Sequence, residues 1–250
     1  MELDKWILEE FKDLQKDVLE HYESYSYHLV VQRIHNFCVN QLGGVYLDII
    51  KDRQYTTQQN SEIRRSAQTA MKLMIDKLVV LVAPILSFTA EEIWQNDADL
   101  KANKASVFLA ELDSIPDFDS NLDHESWSRL LEIKDNVNQK IEESRNAGEI
   151  KGSLDTEIEL TVNTSDFQLL KNLSTELHFF FIVSACNLVE GDNLEVRIKQ
   201  STFEKCTRCW HRNNSVSKSL KHPELCNRCE LNIDGAGAVS YTHLTLPTTD

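Results

Sequence analysis

Cys206-Thr207-Arg208-Cys209 and Cys226-Asn227-Arg228-Cys229 are two C-x2-C pairs separated by 16 residues, and no other stretch restricts the fold so tightly. A two-residue gap lets both sulfurs of a pair face one ion, and four thiolates match the tetrahedral preference of zinc. Four protein ligands leave no position open for water, so the expectation is one structural Zn2+ per chain, not a catalytic centre. Its binding free energy, on the order of 10 kcal/mol, would supply most of what folds so small a lobe. His211 and His222 are nearby but surplus to a full set of cysteines. The two remaining cysteines, Cys38 and Cys186, stand alone in apolar surroundings and read as buried thiols. A disulfide scaffold would spread its cysteines through a short secreted chain. A redox dithiol or two disulfides are the bland alternatives to zinc.

The first 150 residues read as helix after helix. Leu3, Ile7, Phe11, Leu14, Val18 and Tyr22 recur every three or four positions, which puts one apolar stripe on one helical face. A second helix carries Val30, Ile34, Phe37, Leu42, Val45 and Ile49, with Gly43-Gly44 weakening it locally. A third runs from about Ser61 to Ala83 and stops near Pro84, whose ring and missing N–H oppose continuation. Thr89-Ala90-Glu91-Glu92 has the form of a capping box and is expected to start a short helix. Residues 96 to 123 are polar and acidic and read as a linker wrapping the bundle. The last long helix is expected from Glu125 to Asn146, ended by Ala147-Gly148. Short links between such helices make an antiparallel bundle.

The periodicity then changes. Thr156 to Val162 and Asn193 to Lys199 alternate as strands do, Phe179 to Ala185 is a short apolar run read as a third strand, and Ser165 to Thr175 reads as a helix. The fold class is therefore mainly α: an antiparallel helical bundle over residues 1–150, a small α/β connector over 151–202 and a four-cysteine zinc lobe over 203–235.

The chain carries 26 Lys and Arg against 40 Asp and Glu, a formal charge of −14. Nucleic-acid binding rests mainly on neutralising phosphates, so such a total argues against it unless the basic residues are segregated. They are. Between Lys205 and Glu230, six cations face two acids, and Trp210 and His211 are interleaved with Arg208, Arg212 and Arg228. A planar ring among cations can stack a base and hold phosphates. Lys51, Arg53, Arg64, Arg65 and Lys72 form a second cluster against Asp52 and Glu62. Ser87 to Trp127 holds ten acids and two lysines, which accounts for much of the negative total. The plain alternative for each basic cluster is a solvated face.

Other chemistry is hard to find. Neither phosphate-cradling glycine motif occurs, nor H-E-x-x-H, nor G-x-S-x-G. His21, His28, His35 and His178 stand on helical or strand patterns and suit core or surface roles. Trp6, Trp94 and Trp127 fall on helix faces and suit packing. The longest apolar run, Leu78 to Leu86, is far short of a membrane span, and the amino terminus lacks the pattern of a signal peptide. A cytoplasmic monomer without membrane contact is expected.

Particular stretches resemble the C-terminal part of the bacterial-type isoleucyl-tRNA synthetases, class I enzymes. They are Leu3-Asp4-Lys5-Trp6-Ile7-Leu8, Tyr46-Leu47-Asp48-Ile49-Ile50-Lys51-Asp52-Arg53, Arg64-Arg65-Ser66-Ala67-Gln68-Thr69 and Ala83 through Trp94. Phe181-Ile182-Val183-Ser184, Cys206-x2-Cys209-Trp210-His211 and His222-Pro223-Glu224-Leu225-Cys226-x2-Cys229 complete them. The resemblance covers residues 3 to about 235, with Gln54 a departure where the family usually has Leu. It implies a class I anticodon-binding bundle and recognition of isoleucine tRNA through its anticodon stem-loop. Arg208, Trp210, Arg212 and Arg228 are the first candidates for contact, and Lys51, Arg53, Arg64 and Arg65 the second. The parent activity it implies is ATP-dependent attachment of isoleucine to tRNA in protein biosynthesis. The family's ATP-site signatures, H-I-G-H and K-M-S-K-S, are absent, so the chain reads as a fragment without catalytic residues, inactive alone. The family pattern would continue beyond Gly237 with a charged segment. Residues 238–250, AVSYTHLTLPTTD, have no Lys or Arg and read as a non-native, disordered tail.

Two rivals remain. A zinc-stapled protein-interaction module would have the same composition. Formamidopyrimidine-type DNA glycosylases carry a similarly spaced four-cysteine finger, but their chemistry needs proline at position 2, where this chain has Glu2.

Overall fold

The computed structural model describes residues 1–173 and 177–235; the expected tail at 238–250 lies outside them. The order of elements is α1 (Glu2–Glu23), α2 (Tyr27–Asn36), a π-helical segment (Phe37–Leu47), α3 (Asp48–Thr56), α4 (Glu62–Val82), α5 (Ser87–Asn96) and α6 (Ala98–Asn103). After a 3-10 turn at Val107–Leu109 come α7 (His124–Asn146), β1 (Thr156–Val162), α8 (Thr164–Asn172), α9 (Leu177–Phe180), β2 (Ala185–Glu190), β3 (Glu195–Gln200) and α10 (Asn227–Ile233). The described part is mostly helical, with one small sheet and a four-cysteine cluster.

Two compact units result, cut differently from the sequence-derived boundaries. One comprises Met1–Asp48 with Arg65–Ser120; the other comprises Ile49–Arg64 with the chain from Asn121 on.

In the first unit, α1 buries Leu3, Ile7, Phe11, Leu14 and Val18, the stripe read from the sequence. Phe11 meets Phe37 edge to face at 5.6 Å. Tyr46 is fully buried, so its hydroxyl needs a partner. It donates to Asp4 Oδ1 at 2.8 Å, and Ser66 Oγ donates to Asp4 Oδ2 at 2.6 Å. The second helix is not one continuous α-helix: eleven residues from Phe37 to Leu47 are wound as a π-helix. Gly43 and Gly44 permit this, because a Cβ there would lie 2.9 Å from the Cys38 carbonyl oxygen and 3.0 Å from that of Val39. In both cases the crowded carbonyl is five residues back, the partner that π-winding brings close.

The capping box at Thr89 does not form. α5 begins at Ser87, and the Ser87 hydroxyl instead donates to the Ala83 carbonyl at 3.0 Å. Glu91, inside the helix, accepts from Ser106 Oγ and the Val107 amide at 2.8 and 3.0 Å. The acidic stretch after α5 does wrap this unit: Ile115 is buried, and Gln15 Nε2 donates to the Asp113 carbonyl at 3.1 Å.

In the second unit the sheet order is β2-β1-β3, with β1 parallel to β2 and antiparallel to β3. Ile158, Leu160 and Val162 of β1 are buried, as alternation requires. The run from Phe179 is not a strand. Its first residues close the helical turn α9, and Ile182 reverses the chain at φ 55°. Phe179, Phe180, Phe181 and Val183 are nonetheless all buried. A short continuous apolar run marks burial without choosing between helix and strand. Arg129 of α7 grips Asp166 of α8 through Nε and Nη2, at 2.9 and 2.7 Å.

Candidate metal centre and basic lobe

The lobe is organised by its two knuckles. In the first, the Trp210 amide donates to the Cys206 carbonyl at 3.0 Å, and the Cys206 amide donates to the His211 carbonyl at 2.9 Å. In the second, Cys226 is the N-cap of α10, which places Cys229 in that helix's first turn. The Cys226 amide donates to Cys206 Sγ at 3.3 Å, tying the knuckles together. All four sulfurs lie within 4.8 Å of one another, and all four residues are buried.

Crowding four sulfurs drives their acidities apart. Hydrogen bonds with Cys209, Cys226 and Cys229 push the Cys206 thiol far below its ordinary value, while Cys206, Cys209 and Cys226 push Cys229 far above it. A bound divalent cation deprotonates its coordinating thiols outright. The all-sulfur tetrahedral donor set is the one zinc takes in structural sites. The cluster is a structural zinc site, held by Cys206, Cys209, Cys226 and Cys229.

The cations and the tryptophan expected to meet RNA fall into two groups. Trp210 is 61 % exposed, and its backbone adopts φ 66°, where a side chain is strained. Lys205 Nζ lies 5.8 Å from the centroid of its ring. Lys51 and Arg65 are exposed. The remaining arginines are committed inward. Arg228 donates to Asp52 through Nη1 and Nη2 at 2.6 and 2.8 Å, and its guanidinium lies 4.7 Å from the Phe179 ring centroid. Arg212 Nε donates to Asp155 Oδ1 at 2.6 Å. Arg208 reaches the Thr56 carbonyl at 3.2 Å, and Arg64 the Thr57 carbonyl at 3.2 Å. Arg53 is 4 % exposed.

The segment Lys51–Arg64, remote in sequence, is therefore joined to the zinc lobe by Arg228 and Arg208. Burial raises the Asp52 carboxyl, but hydrogen bonding and charge from Arg228 outweigh it and hold the pKa below the usual carboxylate value. Sequence reasoning missed Asp52 and Asp155, because a lone acid in a basic cluster gives no sign of which cation it will hold. It also passed over His178, whose ring meets that of His211 edge to face at 5.7 Å.

Residues 4–160 match the family described as the anticodon-binding domain of tRNA ligase, and residues 203–232 match the zinc finger found in FPG and IleRS. The chain belongs to the tRNA-ligase anticodon-binding domain family. Its particular likeness is to the anticodon-binding and zinc-finger region of isoleucine–tRNA ligases. It is 42 % identical over 253 residues to that of Teredinibacter turnerae, covering 96 % of this chain and 27 % of the ligase. To that of Saccharophagus degradans it is 42 % identical over 249 residues, covering 95 % and 26 %. To that of Legionella pneumophila (strain Paris) it is 41 % identical over 247 residues, covering 94 % and 26 %. The chain thus spans about a quarter of the length of the curated relatives it matches. The glycosylase rival shares only the finger: the match over residues 4–160 is to tRNA ligases. No helix among the described residues is long and apolar enough to cross a membrane.

Proposed function

We propose that this chain binds isoleucine tRNA through the anticodon stem-loop, as the recognition part of an ATP-dependent isoleucine–tRNA ligase. The observation that carries the reading is Trp210. Its ring is held out in solvent on a strained backbone, next to Lys205, at the turn of a zinc knuckle. A large ring kept exposed at a conformational cost suits stacking on an unpaired base, and unpaired loops are where proteins read RNA. Lys51 and Lys205 supply exposed charge for phosphates, and Arg65, in the other unit, is a separate candidate. Arg208, Arg212, Arg228 and Arg64 act one step removed, fixing the backbone that presents Trp210 and Lys51 through the contacts with Asp52, Asp155, Thr56 and Thr57. The bound zinc shapes the knuckles and takes no part in chemistry. With neither ATP-site signature in the sequence, adenylation and transfer fall outside these residues.

The test is binding of isoleucine tRNA and valine tRNA to the zinc-loaded monomer across a salt series. Selective binding of isoleucine tRNA is expected, with a log–log salt slope of several, falling by about one for each phosphate-contacting cation replaced by Ala. Equal binding of both tRNAs, or none with zinc present, would favour the protein-interaction reading.

A further inference from the structure

Along α2 and the π-helical segment, exposure repeats every four residues. Tyr27, Val31, His35, Val39, Gly43 and Leu47 are all exposed, and so is the row beside them, His28, Gln32, Asn36, Asn40 and Gly44. Every residue between these pairs is buried or half-buried. An α-helix has about 3.6 residues per turn, so a four-residue row overshoots each turn by about 40° and winds off its face. In π-winding each hydrogen bond spans five residues, and four residues fall short of a turn. The lead gained along α2 is therefore given back along Phe37–Leu47, and both rows stay on one side.

The rows differ in chemistry and share one property. The first presents aromatic and aliphatic side chains, the second amides and an imidazole, and Gly43 with Gly44 leaves a notch where another backbone can approach closely. Neither row holds a residue of fixed charge. Between Glu23 and Asp48 there is one such residue, Arg33, which is half-buried and donates through Nε to Asp17 Oδ2 at 2.7 Å. In the same unit the exposed positions of α1 are Glu9, Asp13, Lys16, Leu19, Glu20 and Glu23. That is the surface of a helix facing water in a chain with 26 % charged residues. Depletion of charge with exposed aromatic and aliphatic groups marks the core of a protein interface.

The chemistry of the face narrows what covers it. RNA would find no cation for its phosphates. The chain matches about a quarter of the length of its ligase relatives, so about three quarters lies outside the matched residues. A permanent contact between parts of one protein resembles a domain core cut in two, apolar and poor in charge. The two rows have that composition over a helix of 21 residues, from Tyr27 to Leu47, about 30 Å long.

We propose that this two-row face is the docking surface for the rest of the ligase, which meets it with an uncharged, apolar surface and packs closely at Gly43-Gly44. Docking here fixes the helical unit to the part in which adenylation and transfer take place. The proposal rests on reading the chain as part of a longer isoleucine–tRNA ligase, and not on which residues touch RNA.

The test completes the ligase: the 253 matched residues of the Teredinibacter turnerae enzyme are replaced by this chain. The product is used once it adenylates isoleucine, which shows that it is folded, and is compared with the 250-residue chain by hydroxyl-radical labelling and mass spectrometry. Tyr27, Val31, His35, Val39 and Leu47 should be labelled in the chain alone and protected severalfold in the completed ligase. Leu19, on the charged face of α1, should be labelled equally in both. Val39→Lys changes an exposed side chain, so the melting temperature of the chain alone should hold. In the completed ligase the same substitution should raise labelling of Tyr27 and Leu47 towards that of the chain. Equal labelling of the face in both proteins overturns the proposal. So does protection in the chain alone that grows with its concentration, which makes the occupant a second copy. Protection on adding isoleucine tRNA to the chain overturns it in favour of RNA. Affinities for isoleucine and valine tRNA are measured on the same samples. Selective binding by the chain without protection in the ligase leaves the anticodon reading standing, and protection without selective binding overturns that reading alone.

Discussion

The helical first unit and the zinc lobe are held together by different physics. The first unit buries Ile7, Phe11, Leu14, Val18, Val30, Phe37 and Tyr46 completely or nearly so. The core of the lobe is Val216 and Leu225 with four cysteines. Two aliphatic side chains cannot offset the conformational entropy of so many ordered residues. Zinc and inward-turned arginines make up the difference. The lesson is that the lobe's positive charges are of two kinds. Arg212 and Arg228 are paired with Asp155 and Asp52, whereas Lys205 faces outward beside the Trp210 ring.

The largest effect that should separate the two regions comes from the metal. Cys229→Ser should abolish stoichiometric zinc and, with it, metal-linked folding energy on the order of 10 kcal/mol. Zinc analysis and NMR should show the lobe unfolded while circular dichroism retains most of the helical signal; an ordered lobe without metal would break the comparison. The mirror-image change is Phe11→Ala, which removes a fully buried ring. It should cost about 3–5 kcal/mol in denaturant unfolding and leave the zinc content at one.

Gly43→Ala sharpens the account of the π-helix. The added methyl meets the Cys38 carbonyl at 2.9 Å, so a loss of about 1–3 kcal/mol is expected in thermal melts. A neutral result would mean that the segment rewinds as α-helix at no cost.

Arg129→Ala should cost about 1–2 kcal/mol, because Asp166 is nearly buried but the guanidinium is partly solvated. Its effect has a defined pH signature. Hydrogen bonding from Arg129 holds the Asp166 pKa below 3.8, against a smaller upward push from burial. The stabilisation is therefore complete above about pH 4 and is lost as pH falls through the lower folded value. Wild type and variant should converge in stability below that window, as read by urea midpoints at several pH values.

The smallest effect on stability is expected from Trp210→Gly. Glycine adopts φ 66° freely, so the lobe should be unchanged or slightly more stable, by less than about 1 kcal/mol. RNA affinity should nevertheless drop by the worth of one stacked base, about 1–3 kcal/mol. Equal RNA affinity in the variant would remove Trp210 from the interface.

What was legible in the sequence follows the same division. The α1 stripe, the strand at Thr156–Val162 and the four zinc ligands depend on local spacing, and spacing is written in the sequence. The π-helix was only hinted at by Gly43-Gly44, since a 3.6-residue pattern does not announce a change of winding. The run at Phe179–Val183 announced burial and not conformation. The pairing of Arg228 with Asp52, 176 positions apart, had no local signature at all. Only the three-dimensional arrangement reveals that this candidate RNA ligand also holds Asp52.

The most direct test of the division is to measure isoleucine-tRNA and valine-tRNA affinities of the same protein with zinc bound and after chelation. Loss of the preference for isoleucine tRNA on chelation, with the helical signal retained, is the predicted result. An undiminished preference in the zinc-free protein would contradict it, placing recognition in the helices and leaving the lobe without a part in reading RNA.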